Sequence, residues 1–211
     1  MTRFVTEADL VKAITALIAA EPRFAVVHKT HGTPSLRTVK PSLEALLSIV
    51  TEQFLSLSAA AAIWTRLKQG LGDVSPETIL ATPIERLKTL GLSTTKAKSF
   101  HACAVAALDF EALSQKDILE VRKALLAIHG IGPWTADIFL LTAMGHADAW
   151  PGGDVALQAA AQHLFRLRSR PDAKRMEKLA QKWRPYRAAA ARLLWAHYRG
   201  LKALPQAPSQ N

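Results

Sequence analysis

Apolar residues recur along this chain at helical spacing. Leu43, Leu46, Leu47 and Val50 fall at i, i+3, i+4 and i+7 behind Ser42, whose hydroxyl suits a cap. Ser75-Pro76 and Thr82-Pro83 each read as a cap followed by proline at the first helical position, and Gly91 closes the second of these short helices. Ser93 opens a longer helix through Leu108, Asp117 to Ile128 is a further helix-forming run, and another helix starts at Pro133. Asp154 is placed to cap Val155 to Arg166. Met176, Leu179, Ala180 and Trp183 repeat the helical spacing, and Pro185 starts a last helix through Tyr198. Only Phe24 to Lys29 has the look of a strand. His31 to Pro41 reads as a loop, and Pro205 to Asn211 as a frayed tail. The expected fold is all-α, about ten helices, with no repeat and no low-complexity linker.

Composition narrows the setting more than the fold. A chain of 211 residues fits one large domain or two small lobes. With 49% hydrophobic and 21% charged residues it reads as a soluble globular protein, and no apolar run reaches the ~18 residues of a bilayer span. The first residues include Glu7 and Asp9 and lack an apolar signal core, so a cytoplasmic protein is expected. Cys103 is the single cysteine, which excludes an internal disulfide and a four-cysteine zinc or iron–sulfur site. The histidines show no metal-ligand spacing. The 27 Lys and Arg against 17 Asp and Glu give a charge of +10, spread along the chain. That excess is compatible with nucleic acid, an anionic membrane surface or plain solubility.

The segment Leu126-Ala-Ile-His-Gly-Ile-Gly-Pro-Trp-Thr-Ala-Asp-Ile-Phe139 carries the most chemistry. Gly130 and Gly132 bracket Ile131 between two helix-forming runs, where the backbone can turn sharply and approach a partner closely. Amides at the start of the second helix then face outward, where an anion would sit. On a basic chain the matching anion is a nucleic-acid phosphate, although Gly-x-Gly alone also fits an ordinary interhelical turn. Asp154, after two glycines and before an apolar helix, is by itself a good helix cap.

Together these segments resemble the helix-hairpin-helix (HhH-GPD) DNA glycosylases. The carriers are Leu126 to Asp137, then Trp150-Pro-Gly-Gly-Asp-Val-Ala-Leu157 with its acidic residue. Within that superfamily the chain is similar to the 3-methyladenine DNA glycosylase II branch. Ile49-Val-Thr-Glu-Gln-Phe-Leu-Ser56 with Ile63-Trp64, Leu90-Gly-Leu-Ser-Thr-Thr-Lys-Ala97, and Trp183-Arg-Pro-Tyr-Arg187 with Trp195 support the branch. The likeness spans about Ser42 to Tyr198, and no additional N-terminal β domain is expected. It implies a two-lobed helical fold with the active-site cleft between the lobes. One lobe would take residues 42–145, including the hairpin at 117–144, and the other 1–41 with 146–204.

The implied activity is monofunctional. Such an enzyme flips an alkylated purine out of duplex DNA and hydrolyses its N-glycosidic bond, leaving an abasic site. Asp154 takes the place of the catalytic carboxylate, which would stabilise positive charge on the sugar and orient the attacking water. Lyase-active relatives carry a nucleophilic lysine two residues after the hairpin's second glycine, where this chain has Trp134; Lys116 and Lys123 read as solvated helix-face charges. Trp134, Trp195 and Ile138 match base-pocket positions, with Ile138 standing where relatives can carry a tyrosine. Trp64, Trp150 and Trp183 read as packing residues. Gln53, Phe54, Ser56, His129, Gly130, Ile131, Gly132 and Thr135 match DNA-binding positions, with Lys96 and Arg187 as further phosphate contacts. Phe54 is the expected minor-groove wedge. The family pattern is Gly-Gln-Gln where this chain has Glu52-Gln53-Phe54, so Leu55 is the alternative wedge and burial within a Ser42–Leu67 helix the plain reading. The carbonyls of Leu126, Ile128 and Gly130 match those that hold Na+ or K+ in relatives; no cofactor is otherwise required, and no iron–sulfur cluster is expected. The implied partner is double-stranded DNA with alkylated bases, bound by a monomer that has no membrane association and joins the nucleoid when on DNA. The rival readings are a non-catalytic helix-hairpin-helix DNA-binding protein and a glycosylase for other damaged bases.

Overall fold

In a computed structural model, which describes residues 3–203, side-chain oxygens decide where most helices begin. Thr6 caps α1 (Glu7–Ala20), Ser42 caps α3 (Leu43–Glu52), Ser56 caps α4 (Leu57–Leu71) and Ser75 caps α5 (Pro76–Ala81). Ser93 caps α7 (Thr94–Ala106), Asp109 caps α8 (Phe110–Ser114) and Asp117 caps α9 (Ile118–Leu126). Asp154 caps α11 (Val155–Leu164), and Asp172 caps α12 (Ala173–Ala180). Each such cap stabilises its helix by about 1 kcal/mol. The remaining helices are α2 (Arg23–His31), α6 (Ile84–Thr89), α10 (Pro133–Thr142) and α13 (Arg187–Ala203), with a 3-10 turn at Gln181–Trp183. No strand occurs among the described residues beyond the single bridge pair Arg3 and His146, so the fold is all-α as expected. No helix among them is long and apolar enough to cross a membrane. The expected tail at 205–211 lies outside the described residues.

Several boundaries differ from those expected, most for a physical reason. Phe24 to Lys29 is helical, within α2. Phe24 and Val27 are buried three residues apart while Val26 is exposed, so the β-branched pair conceals a helical face. Thr82 ends α5, where its hydroxyl donates to the Thr78 carbonyl, and Pro83 precedes α6 without a side-chain cap. The helix after Ser93 stops at Ala106 because Ala107 turns left-handed, at φ 43°. The last helix starts at Arg187 and runs to Ala203, past Tyr198. The thirteen helices among the described residues exceed the expected number chiefly because Phe24 to Lys29 is helical, the Ser42–Leu67 stretch divides into α3 and α4, and α8 has only 5 residues, too few to display a period.

The chain divides into two compact units: one takes residues up to Arg37 and from Gly145 onward, the other Thr38–Met144. In the first unit α13 is central. Ala188, Ala189, Ala190 and Ala191 are all buried there, and their small side chains let α1, α2 and α11 approach closely. Trp183 anchors an aromatic cluster, stacked on Phe165 at 5.5 Å and edge-on to Phe24 and Trp150 at 5.2 and 5.4 Å. Trp150 and Trp183 are thus packing residues, as expected. In the second unit α3 packs on α4, α7 and α10, with Leu46, Leu47, Val50, Phe100 and Phe139 at the core. Burying each of these large apolar side chains stabilises the fold by about 1.5–3 kcal/mol.

Glu21, where α1 ends, is the most strongly perturbed acid of the first unit. Arg23 donates Nε and Nη2 to it at 2.6 and 2.9 Å, and Lys182 adds a third donor. The Arg23 hydrogen bonds, helped by Lys182, hold the carboxyl at about 2 against the opposing effect of burial. A folded-state pKa below the unfolded one contributes stability that is full above pH 4.5 and is lost as pH falls toward about 2. Glu21→Gln is therefore expected to destabilise the protein at neutral pH, with the difference from wild type shrinking between pH 4.5 and about 2. Denaturant unfolding at stepped pH measures it; a pH-independent difference would remove these ion pairs from the acid response.

Candidate functional site

The hairpin is set by a backbone turn that has no room for a side chain. Gly130 has φ +85°, and a Cβ there would stand 1.8 Å from Ser99 Oγ and 2.7 Å from Ser99 Cβ. Ser99 is itself buried and held by its hydroxyl bond to the Thr95 carbonyl, so it cannot give way easily. Gly132 is different: it caps α10 at φ −90° with no side-chain cap bond, and a Cβ there would meet nothing within 4 Å. Pro133 follows at the first helical position, and the intrahelical ladder starts with Ala136 N to Gly132 O at 3.0 Å. The amides of Trp134 and Thr135 precede that ladder, at the positive end of the helix dipole. Open space beside Gly132 and amides at a helix start form a surface suited to a phosphate oxygen.

A second turn is braced onto this one. The Gln53 side chain donates from Nε2 to the Gly130 carbonyl at 3.1 Å and to Thr135 Oγ1 at 2.8 Å. Gln53, expected as a DNA contact, is in this structure a strut joining the α3–α4 turn to the hairpin, half-buried and with Nε2 engaged. Phe54 follows it at φ +58° with its side chain 104% exposed, against 40% for Leu55. A left-handed phenylalanine with a fully solvated ring costs backbone strain and gains no burial, so burial in a continuous Ser42–Leu67 helix is ruled out. Of the two wedge candidates, both exposed, Phe54 is the more so.

Asp154 combines the two roles that the sequence left side by side. Its Oδ1 accepts the Leu157 amide at 2.9 Å, the capping bond, and the Trp195 indole Nε1 at 3.2 Å. The segment leading to it is stapled to the start of α13. Arg187 donates Nε and Nη2 to the Asp148 carboxylate at 2.8 and 3.0 Å and Nη1 to Glu177 at 2.7 Å, and Ala188 N donates to Ala147 O at 3.0 Å. Arg184 adds a contact to Asp148 at 3.3 Å. A carboxylate fixed in this way, half-buried at a helix start, can stabilise adjacent positive charge or orient a water.

Other sequence-nominated residues fall in three groups. His129 and Gly130 are exposed on the hairpin, and Ser56 is exposed while its hydroxyl caps α4. Trp134 is half-buried, whereas the Ile131, Thr135 and Ile138 side chains are buried at 5%, 1% and 6% exposure. Ile131 and Thr135 thus support the hairpin from inside, and Ile138 belongs to the core of its unit. Lys96 and Arg187, expected as phosphate contacts, are engaged within the fold. Lys96 is buried, which lowers its pKa, and its Nζ donates to the Thr51 carbonyl at 2.8 Å; the Arg187 guanidinium is occupied by Asp148 and Glu177. A more exposed basic run lies elsewhere, unexpected although its density is visible in the sequence: Arg166, Arg168, Arg170, Lys174, Arg175 and Lys178 all face solvent. The Gln53 strut and the Trp195–Asp154 bond are likewise unexpected, because they join residues far apart in the chain and leave no local signal.

The carbonyls of Ile128 and Gly130 each accept one hydrogen bond, from Ile131 N at 3.1 Å and Gln53 Nε2 at 3.1 Å. A carbonyl oxygen has two lone pairs, so with Leu126 these carbonyls retain the capacity that a hard monovalent cation needs. No group of three His, Cys, Asp or Glu suited to a metal ion occurs among the described residues.

Comparison with known proteins agrees with this geometry. Residues 47–185 match the family model described as HhH-GPD superfamily base excision DNA repair protein. The alkylbase DNA glycosidase-like protein mag2 of Schizosaccharomyces pombe is 30% identical over 161 residues, 72% of this chain and 76% of that protein. The structure of a 3-methyladenine DNA glycosylase from the same yeast, in complex with abasic DNA, has a TM-score of 0.81 at 26% identity, covering 87% of this chain and 95% of that one. A DNA-3-methyladenine glycosidase from Bacillus halodurans has a TM-score of 0.75 at 30% identity, covering 96% and 94%.

The two hairpin glycines should behave differently on substitution. Gly130→Ala forces a left-handed alanine into Ser99 and should destabilise by more than the ~1–2 kcal/mol of the backbone alone. Gly132→Ala meets open space and should unfold within about 1 kcal/mol of wild type; equal losses in thermal unfolding would contradict the turn geometry. Phe54→Gly relieves about 1–2 kcal/mol of strain and restores about 0.5–1 kcal/mol of unfolded-chain entropy, so stability should stay near that of wild type. A core phenylalanine would lose at least about 3 kcal/mol even on truncation to alanine.

Proposed function

The chain belongs to the HhH-GPD superfamily of base excision DNA repair proteins and is a DNA glycosylase, and within that frame we propose a monofunctional enzyme that removes alkylated purines from duplex DNA. The observation that carries the reading is the fixed carboxylate of Asp154 at the start of α11. Cleaving the N-glycosidic bond sends its electron pair to the departing base and leaves the sugar electron-poor. A negative group held beside the sugar stabilises that charge, and it can take a proton from the water that attacks the sugar carbon. The products are a free base and an abasic strand.

Three features of the chain support the finer parts of this reading. The residue two after the hairpin's second glycine is Trp134, which has no amine to form an imine with the opened sugar, so strand cleavage by the enzyme is not expected. Alkylated purines carry ring charge, leave readily, and are drawn to an indole face such as that of Trp134 by ~0.5–2 kcal/mol. The amides beside Gly132 suit backbone phosphate, and Phe54, on the turn that Gln53 braces, suits the gap left in the base stack when a nucleotide is extruded. The carbonyls of Leu126, Ile128 and Gly130 would hold a monovalent cation, which supplies positive charge toward a phosphate. The protein acts as a monomer on double-stranded DNA.

Asp154→Asn isolates the charge, since asparagine caps a helix about as well as aspartate. Base release should fall at least ~10²-fold while duplex binding persists. Phe54→Gly should lower release without loss of stability. The wild-type product should be intact strands that break only after alkali, with no adduct trapped by borohydride. Turnover by Asp154→Asn close to that of wild type would return Asp154 to a bare cap and favour a DNA-binding module, and trapping through a lysine would overturn the monofunctional assignment.

A further inference from the structure

Trp195 matches a base-pocket position, but its polar edge has a more definite partner. The indole Nε1 lies 3.2 Å from Asp154 Oδ1, the same oxygen that receives the Leu157 amide at 2.9 Å. Resting on the glycosylase reading above, we propose that Trp195 is a positioning residue for Asp154, acting through its N–H and not primarily through its ring face.

The physical case begins with the freedom of a carboxylate. The torsion that rotates the two oxygens of an aspartate is broad and roughly two-fold, so a capping bond alone leaves the group free to swing about that axis. Two donors converging on Oδ1 from different elements remove that freedom, because any rotation exchanging the oxygens breaks both bonds at once. Oδ2 then has one direction in space. An indole N–H is donor only, so it selects a carboxylate oxygen and cannot be satisfied by a competing donor. The bond is also well supported. Trp195 lies on α13, whose first turn is tied to the segment before Asp154 by Arg187 on Asp148 and by Ala188 N on Ala147 O. The elements bearing the donor and the acceptor are therefore braced to each other one helical stretch away from the bond.

A positioning role and a stacking role separate cleanly with abasic probes, which contain no base to stack on. One duplex carries a pyrrolidine abasic nucleotide, whose ring nitrogen is cationic; the other carries the neutral tetrahydrofuran counterpart. Wild type should prefer the cationic duplex. Trp195→Phe keeps a flat ring and loses the N–H, and should lose about tenfold of that preference, in line with a hydrogen bond to a charged group, while affinity for the tetrahydrofuran duplex stays within about twofold. In the Asp154→Asn background the same substitution should change neither affinity, and in the otherwise native protein it should slow single-turnover release of cationic and neutral bases alike. Full cationic preference in Trp195→Phe would overturn the assignment, as would equal loss for both probes, which marks a merely structural residue. Those outcomes leave the glycosylase reading intact; that reading fails separately, if wild type releases no base from alkylated DNA.

Discussion

A carboxylate that caps a helix is oriented by the backbone it caps, and the candidate site depends on that constraint at Asp154. The Leu157 amide fixes Oδ1 against the first turn of α11, and Trp195 holds the same oxygen from α13. Neither bond is unusual in strength. Their value lies in geometry, because a charge that must meet developing positive charge gains most when it need not reorganise. The ion-pair staple of Arg187 on Asp148 serves the same end one step removed: it joins the chain leading into Asp154 to the helix that carries Trp195.

The hairpin shows a related economy in the other unit. Gly130 is required by contact with Ser99 and by its left-handed backbone, whereas Gly132 keeps the space beside the α10 amides open. Gln53 then couples the hairpin to the turn that presents Phe54. One unit thus presents an anion-suited helix start and an exposed ring on a single braced framework. The exposed ring on a strained residue is a local cost that the fold itself does not recover.

What the sequence made legible follows from how far each interaction reaches. Caps such as Ser42, Ser93 and Asp154 act within three residues, and the structure has them where they were expected. The glycines of the hairpin were legible for the same reason. Phe24 to Lys29 misled because Val26 and Val27 favour strands, and only the burial of Phe24 and Val27 reveals the helical face. The engagement of Lys96 and Arg187 was not legible: charge can be counted in a sequence, but whether an ammonium is held by the Thr51 carbonyl depends on packing across 45 residues. The partners of Asp154 and Gly130 were invisible for that reason as well.

The central claim is that this carboxylate serves the breaking of a bond between base and sugar. Chromatography of the bases set free when the purified protein meets alkylated duplex DNA tests it most directly. The account predicts free alkylated purines, with the strands left intact at abasic sites. Tight binding to the same DNA with no base released would contradict it.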